Sequence, residues 1–325
     1  MNKRKFGWTG LDISALGLGT WAMGSKDDWQ FGWQPQDEKE SAATIRHAAE
    51  SGVNWIDTSP IFGFGRSEEV IGKAVRELKE KPFIATKCGL VWTQGKKIFG
   101  RLIKSSIIEE LETSLRRLQT DTIDLYQIHW PNPDPDIEEA WSAIAQSVKE
   151  GKVRYAGVAN FNVEQMKRLM PIHPIASLQV NYNMIYSGLQ KDVLEFCASN
   201  NIALLAYNPL QKGLLSGNIT KEWVLRLPKI SPRLRDPEFS EPDFSANMGL
   251  VAGLDEIARR LGRTVSQISI SWVLGQPGIS SVIVGARSPS QIDNMLLPDD
   301  WRLSEEDTKG IDALLAERAA SLNIG

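Results

Sequence analysis

Asn54-Trp-Ile-Asp57 is the first of three short apolar runs that decide the fold predicted for this chain; the others are Phe83-Ile-Ala-Thr-Lys87 and Asp124-Leu-Tyr-Gln-Ile-His129. Each run has the length and composition of a buried β-strand and ends in a polar side chain. In a parallel β-barrel the C-terminal ends of the strands open at one mouth, where barrel enzymes carry out their chemistry. The three polar side chains are therefore predicted to meet at that mouth.

Runs of the same kind recur along the chain, and segments with helical spacing separate them. They lie at about Leu16 to Leu18, Val53 to Asp57, Phe83 to Cys88, Ile123 to His129, Tyr155 to Val158, Ala176 to Asn181, Ile202 to Tyr207 and Ser281 to Val284. Strands that alternate with helices form a parallel sheet, and this number of βα units closes most economically into a (β/α)8 TIM barrel. The structural alternative is a doubly wound open sheet, but no Gly-x-Gly-x-x-Gly motif opens the first helix.

Three segments lie outside this alternation. The residues up to Leu11-Asp-Ile-Ser14 predict a small N-terminal β-hairpin that plugs the bottom of the barrel. The stretch from Asn218 to Asn247 is rich in proline and has little periodicity, so it predicts a long loop after the seventh strand. A shorter excursion, Gly89 to Gly100, follows the third strand and carries Trp92. Long loops are therefore expected at the mouth.

Length and composition fit one barrel domain over residues 1–325, because 325 residues with 42% hydrophobic content can bury one large core. The net charge is −3, with 37 basic and 40 acidic residues interspersed, so neither nucleic acid nor a membrane surface is expected as a partner. No signal-peptide pattern or run of transmembrane length is found, and Cys88 and Cys197 lack a metal-ligand spacing. We expect a cytoplasmic protein without a metal site; the oligomeric state stays open.

Side-chain alternation along the second run bears on the chemistry. In Ala85-Thr-Lys87 the lysine shares a face with Ala85 and is predicted to point into the barrel, while Cys88 faces the helices. A lysine charge inside a barrel is costly unless it is paired, and Asp57 is the natural partner. Such a pair can tune a proton donor while a neutral His129 orients a substrate carbonyl. A purely structural ion pair with a core histidine is the alternative; three such residues at strand ends favour catalysis.

Further motifs surround these residues: Asp57-Thr-Ser-Pro-Ile-Phe-Gly63, Ile128-His-Trp-Pro131, Gly157-Val-Ala-Asn-Phe161 and Ser281-Val-Ile-Val-Gly285. With them the chain resembles the aldo-keto reductase family, in its bacterial sugar- and aldehyde-reductase branch, over nearly its whole length. The resemblance implies a barrel that uses NADP(H) to reduce an aldehyde or ketone reversibly, with sugars or their oxidised derivatives among the candidate substrates. It also implies catalytic roles for Asp57, Lys87 and His129.

The family's catalytic tyrosine is replaced by Phe62 in this chain. In the family that phenol gives the proton to the carbonyl oxygen, and losing a positioned general acid costs roughly 10² to 10⁴ in rate. Three explanations stay open. The chain is an engineered tyrosine-to-phenylalanine variant, or a natural enzyme that protonates through water, His129 or Lys87, or a nicotinamide-binding sensor or regulatory module without turnover.

The resemblance also implies a cofactor site. Thr20, Trp21 and Asp57 would contact the cofactor, Asn160 and Gln179 would hydrogen-bond its carboxamide, and Tyr182 would stack on the nicotinamide ring. The implied contacts along the rest of the cofactor are Tyr207, Pro209, Leu210, Lys212, Gly213, Gly285, Arg287, Gln291 and Asn294. A helix N-terminus beside Arg287 suits a 2′-phosphate, which favours NADP(H) over NAD(H). The implied substrate contacts are Trp21, Trp92, His129 and Trp130.

Overall fold

The computed structural model describes residues 1–26, 29, 32–188, 191–229, 231–299 and 301–322. Its strands are β1 (Lys3–Lys5), β2 (Asp12–Ser14), β3 (Leu16–Gly19), β4 (Trp55–Asp57), β5 (Phe83–Cys88), β6 (Leu90–Trp92), β7 (Ile98–Gly100), β8 (Ile123–Ile128), β9 (Val153–Ala159), β10 (Ser177–Asn181), β11 (Ala203–Tyr207) and β12 (Ile279–Gly285). Eight of them close a parallel barrel in the order β3-β4-β5-β8-β9-β10-β11-β12, and β12 pairs with β3. The eight predicted strands and the TIM barrel are confirmed, and the open sheet is excluded.

Helices surround the barrel on its outer side. They are α1 (Glu38–Glu50), α2 (Arg66–Arg76), α3 (Lys104–Leu118), α4 (Ile137–Lys149), α5 (Val163–Leu169), α6 (Lys191–Ser199), α7 (Lys221–Leu225), α8 (Asp243–Leu261), α9 (Val265–Gly275), α10 (Pro289–Asp293) and α11 (Glu305–Leu322). Local signals begin several of them: Asp37 accepts two backbone N–H groups at the start of α1, and Asn162 and Thr264 begin α5 and α9 with capping boxes.

Strand residues contribute alternately to two layers of core, because successive side chains point to opposite faces. Outward residues such as Leu178 and Tyr126 pack with the helices in the main core, while inward residues such as Leu125 and Leu205 fill the barrel. At the opposite end from the mouth, β1 and β2 form an antiparallel hairpin. Phe6 and Ile13, on and beside these strands, are buried inside the barrel, so the predicted plug is confirmed.

The segment from Asn218 to Asn247 was predicted as one irregular loop, and that prediction is wrong in part. It contains α7, short 3-10 turns at Pro232–Arg235 and Pro237–Phe239, and the start of α8; residue 230 lies outside the described residues. Prolines explain the two 3-10 turns, because a proline fixed near helical φ begins a helical turn well at its first position, while Thr220 caps the start of α7. Phe239 and Phe244 bury the segment against Leu214. The segment still follows a barrel strand, so it lies at the mouth as predicted.

The second excursion, Gly89 to Gly100, is a β-hairpin formed by β6 and β7, in which Trp92 pairs with Ile98. The hairpin extends the mouth beside β5. Among the described residues, no helix has the length and hydropathy needed to span a membrane. No group of three or more His, Cys, Asp or Glu side chains in the described part of the chain is arranged to hold a metal ion.

Candidate active site

An ion pair between Lys87 and Asp57 lies at the mouth, on the carboxyl ends of β5 and β4. The lysine Nζ donates to Asp57 Oδ1 and Oδ2 at 2.8 and 2.7 Å and to the carbonyl oxygen of Thr58 at 3.0 Å. These bonds use the three donors of an ammonium group. Burial lowers the pKa of Lys87, and the charge of Asp57 opposes that shift. The predicted pairing is confirmed, and a well-oriented lysine is held next to the open end of the barrel.

The carboxylate of Asp57 is held from a second side by Gln179 on β10. Gln179 Nε2 donates to Asp57 Oδ1 at 2.8 Å. The bond leaves the amide oxygen of Gln179 available to another donor at the mouth. Gln179, to which the resemblance gives a cofactor contact, thus lies directly against the ion pair.

His129 follows β8 and is fixed through its backbone and its ring. Its N–H donates to the carbonyl oxygen of Cys88 at 3.0 Å, and its own carbonyl oxygen accepts from Asn160 Nδ2 at 3.1 Å. Its Nδ1 lies 3.2 Å from Ser59 Oγ. Burial and, secondarily, the charge of Lys87 hold the pKa of His129 well below its usual range. The imidazole is therefore neutral near pH 7, as the sequence predicted.

Phe62 lies between these two polar groups. Its ring centre is 5.4 Å from Lys87 Nζ and 6.1 Å from the His129 ring, and the side chain is only 5% exposed. Trp21 covers it with ring centres 5.0 Å apart, and Trp29, which the sequence analysis overlooked, adds a second indole at 6.4 Å. An aromatic side chain without a hydroxyl group therefore lies next to both polar residues.

Tyr182 is not where the resemblance implied. Its ring is buried against Trp272 of α9, with centres 6.0 Å apart, in the core between barrel and helices. Strand alternation gives the reason: on β10 the inward residue is Gln179, so Tyr182 points outward. On β11 the inward residue at the mouth is Tyr207, whose hydroxyl donates to Asn160 Oδ1 at 3.0 Å. The aromatic ring beside the predicted carboxamide ligands is Tyr207.

The turn after β11 has an unusual backbone. Asn208, Gln211, Lys212 and Gly213 all have positive φ, between 43° and 94°. Asn208 Oδ1 accepts from the N–H of Lys212, and Lys212 Nζ pairs with Asp236 at 2.6 Å. Left-handed non-glycine residues of this kind concentrate at ligand-binding turns. Pro209 and Leu210 lie in the same turn, and the Leu210 carbonyl oxygen accepts from Gly213 and Leu215.

Two arginines lie close together beyond this turn. Burial and the neighbouring charge of Arg287 lower the pKa of Arg233 to about 10. The Arg233 guanidinium is 3.8 Å from the Trp33 ring centre and donates to the Lys212 carbonyl oxygen. Arg287 donates to Gln36 Oε1 at 2.6 Å and to the Pro35 carbonyl oxygen at 2.8 Å. Within the described ranges, neither arginine forms an ion pair with a carboxylate, so this cationic patch suits an anionic ligand.

The other predicted contacts are distributed around the mouth. Gly285 ends β12, Gln291 accepts from the N–H of Arg287 at 2.7 Å, and Asn294 follows α10. Thr20 is fully buried, with its hydroxyl donating to the Asp57 carbonyl oxygen. Among the predicted substrate contacts, Trp130 is 44% exposed directly after His129, and Trp92 packs on Phe64 with ring centres 5.5 Å apart. Trp92 therefore lies in the hairpin and packs against the buried cluster of Trp29, Ile61 and Phe62.

Sequence reasoning missed two polar residues near the ion pair. Ser59 contacts His129 through its hydroxyl group. Gln127 on β8 pairs with Lys87 across the sheet and is completely buried inside the barrel. Among the described residues its amide has no hydrogen-bond partner. Its position two residues before His129 was the available signal, because residues i and i+2 of an extended segment share a face.

Fold and site together define a barrel oxidoreductase that acts on carbonyl groups. The family model described as "Aldo/keto reductase family" matches residues 15–316. The chain belongs to this family. "Aldo-keto reductase YhdN" of Bacillus subtilis (strain 168) is 39% identical over 310 residues, which cover 94% of this chain and 91% of the relative. "NADH-specific methylglyoxal reductase" of Escherichia coli (strain K12) is 29% identical and covers 99% of both chains.

Solved structures agree with this assignment. The glycerol dehydrogenase AKR11B4 from Gluconobacter oxydans superposes with a TM-score of 0.87 at 34% identity, covering 97% of this chain and 95% of that one. An aldo/keto reductase from Klebsiella pneumoniae in complex with NADP and acetate has a TM-score of 0.73 at 28% identity and covers 97% and 96%. Both likenesses extend over 97% of this chain.

Proposed function

We propose that this chain reduces aldehydes or ketones reversibly with NADP(H) as cofactor, and that Phe62 slows the reaction. The observation that carries the proposal is the buried Asp57–Lys87 pair with a neutral His129 and the Phe62 ring between them at the mouth. The cofactor, when bound, supplies a hydride to the carbonyl carbon. Residues 1–325 are taken to act as one barrel unit, and a cytoplasmic location stays a prediction from composition.

The residues of the mouth fit the nicotinamide end of the cofactor. Asn160 and Gln179 present amide groups there, and Tyr207 supplies the ring for stacking. Asn160 is anchored by Tyr207 and by the His129 carbonyl oxygen, so its remaining hydrogen-bonding capacity has a fixed direction. Trp21 and Trp29 lie over Phe62 and limit the access of water to the reacting carbonyl.

The phosphate end is supported by the cationic patch of Arg233 and Arg287. The charge of Arg287 lowers the pKa of Arg233, so a dianion placed between or beside the two guanidinium groups would be favourable. Such a dianion is present as the 2′-phosphate of NADP(H) and absent from NAD(H). One relative is named for NADH and a solved structure holds NADP, so cofactor choice differs among the relatives and depends on local residues.

The alternative of a sensor without turnover has no support among the relatives, whose names describe reductases and dehydrogenases. An enzyme is therefore the better proposal, with its rate lowered by the loss of the phenol. The sequence explanations of Phe62 as an engineered change or a natural one both agree with the geometry, because phenylalanine fills the same space as tyrosine.

The test is a binding and turnover experiment on the unchanged protein. Quenching of tryptophan fluorescence measures the Kd of NADPH and of NADH, and absorbance follows oxidation of each cofactor with a panel of aldehydes, ketones and sugars. We expect tight NADPH binding, weaker NADH binding and slow turnover of at least one carbonyl compound. Failure to bind either nucleotide would overturn the proposal, and tight binding with no turnover in any variant would favour the sensor.

A further inference from the structure

Ser59 makes a contact that none of the assignments above uses. It lies two residues after Asp57, is only 1% exposed, and places Oγ 3.2 Å from His129 Nδ1. The same Oγ accepts a long hydrogen bond, 3.4 Å, from the backbone N–H of Ile61. An N–H group can only donate, so this bond uses a lone pair of the serine oxygen. The hydroxyl group keeps its hydrogen and a second lone pair, and the hydrogen is the partner that suits an Nδ1 without a proton.

Because His129 is neutral, the direction of this hydrogen bond depends on which of its two ring nitrogens carries the hydrogen. A neutral imidazole has one nitrogen that donates and one that accepts. If Ser59 donates to Nδ1, the hydrogen of the ring must be on Nε2. Lys87, whose positive charge acts on His129, further disfavours a second ring proton. Nε2 then offers an N–H group to a substrate oxygen.

We propose that Ser59 is a positioning residue that holds His129 in the Nε2–H tautomer and fixes the direction of its ring. This inference rests on the proposed function, and it deepens it. With Phe62 in place of a phenol, the Nε2–H group is the neutral donor that faces the carbonyl oxygen as negative charge develops there. A neutral imidazole can stabilise such charge by hydrogen bonding without giving up its proton, and the alkoxide then takes its proton from water.

The Phe62 ring makes this donor more important than it would be beside a tyrosine. Lys87 has committed its three N–H groups to Asp57 and Thr58, so it has none directed at the substrate. The Phe62 ring has no hydrogen to donate. Of Asp57, Phe62, Lys87 and His129, His129 is the one that keeps a donor for the carbonyl oxygen within the described part of the chain, and Ser59 determines which of its nitrogens carries it.

The test combines nuclear magnetic resonance with kinetics. The chain has three histidines, so ¹⁵N-histidine labelling gives a simple spectrum that variants of His47 and His173 assign. In the unchanged protein we expect the Nε2–H tautomer, with the Nδ1 resonance displaced by an accepted hydrogen bond. In Ser59→Ala that displacement should disappear and a second tautomer should become visible, while Ser59→Thr, which keeps the hydroxyl group, should restore the original spectrum.

Turnover should follow the spectrum. Loss of one hydrogen bond that orients the ring predicts a fall in kcat of about fivefold to tenfold in Ser59→Ala, with little change in KM and recovery in Ser59→Thr. In the Phe62→Tyr background the loss should be smaller, because the phenol supplies a second donor. Ser147→Ala, which removes a buried hydroxyl on α4 away from the mouth, is the matched control for stability and rate.

Two results would overturn the inference: an Nδ1–H tautomer in the unchanged protein, or identical histidine spectra for Ser59→Ala and the unchanged protein. The spectra do not depend on turnover. If the Nδ1 shift responds to Ser59 but no carbonyl compound is reduced by any variant, the positioning role stands and the proposed function fails. If turnover is present and the spectra do not change, the proposed function stands and the positioning role of Ser59 fails.

Discussion

Replacing Phe62 by tyrosine should accelerate carbonyl reduction, and the structure allows the size of the gain to be reasoned out. The ring is buried and already lies 5.4 Å from Lys87 Nζ and 6.1 Å from the His129 ring, so Phe62→Tyr adds a hydroxyl group with little repacking. A positioned general acid contributes roughly 10² to 10⁴ in rate. The positive charge of Lys87 lowers the pKa of the new phenol, and burial raises it.

The arrangement of Lys87 places the expected gain toward the lower end of that range. All three of its donors are already in hydrogen bonds, so contact with the phenol requires that it release one, such as the bond to the Thr58 carbonyl oxygen. One exchanged hydrogen bond costs about 1 kcal/mol, or about a factor of five. We therefore expect kcat to rise on the order of 10² to 10³, with a smaller change in KM because the hydroxyl acts chiefly in the transition state.

The assay is steady-state NADPH oxidation with the best carbonyl substrate of the panel, for the unchanged protein, Phe62→Tyr and Phe64→Tyr. The third protein is the matched control, because Phe64 lies two residues away on the same turn and packs on Trp92 instead of the ion pair. Its rate should not change. The reasoning is refuted if Phe62→Tyr binds NADPH normally and shows no gain while the unchanged protein is already fast.

Three further predictions concern charge. Arg287→Ala should weaken NADPH binding much more than NADH binding in a fluorescence titration. Arg235→Ala, at an exposed arginine, is the control. Equal weakening of both cofactors would show that the 2′-phosphate binds elsewhere. Lys87→Met should abolish turnover while changing the Kd of NADPH only slightly. It should also lower the free energy of unfolding by roughly 3 to 5 kcal/mol, because Asp57 is left buried without its partner. A large loss of cofactor affinity would show that the Asp57–Lys87 pair has a structural role. Burial raises the pKa of Glu110 from 4.5 to about 7. A carboxyl group whose pKa is raised in the folded state stabilises the fold at pH values below its unfolded-state pKa, and this contribution is lost as the pH rises from 4.5 to about 7. Glu110→Gln should therefore flatten the dependence of the unfolding free energy on pH in this window. Urea titrations at several pH values measure this, and an unchanged slope would contradict it.

Several features of this protein follow from its sequence because they depend on local pattern. The strand runs have period-two alternation and end in polar residues, and alternation by itself places Lys87 inside the barrel and Cys88 outside. The cost of an unpaired buried charge then makes Asp57 the partner of the lysine. The same alternation, applied to β10 and β11, predicts that Tyr207 and not Tyr182 points into the barrel. The assignment of Tyr182 to the nicotinamide ring therefore came from the resemblance and not from a missing signal.

Other features were decided by the closed barrel alone. Ser59 and His129 follow β4 and β8, which are not neighbours in the barrel, and their contact depends on the register of the strands between them. Arg233 and Arg287 come together because the segments after β11 and β12 meet beside Gln36, from the segment after β3. No local pattern encodes such meetings, because each joins loops whose distance is fixed only when the eight strands close. The sequence determined which side chains reach the mouth, and barrel closure decided which of them touch.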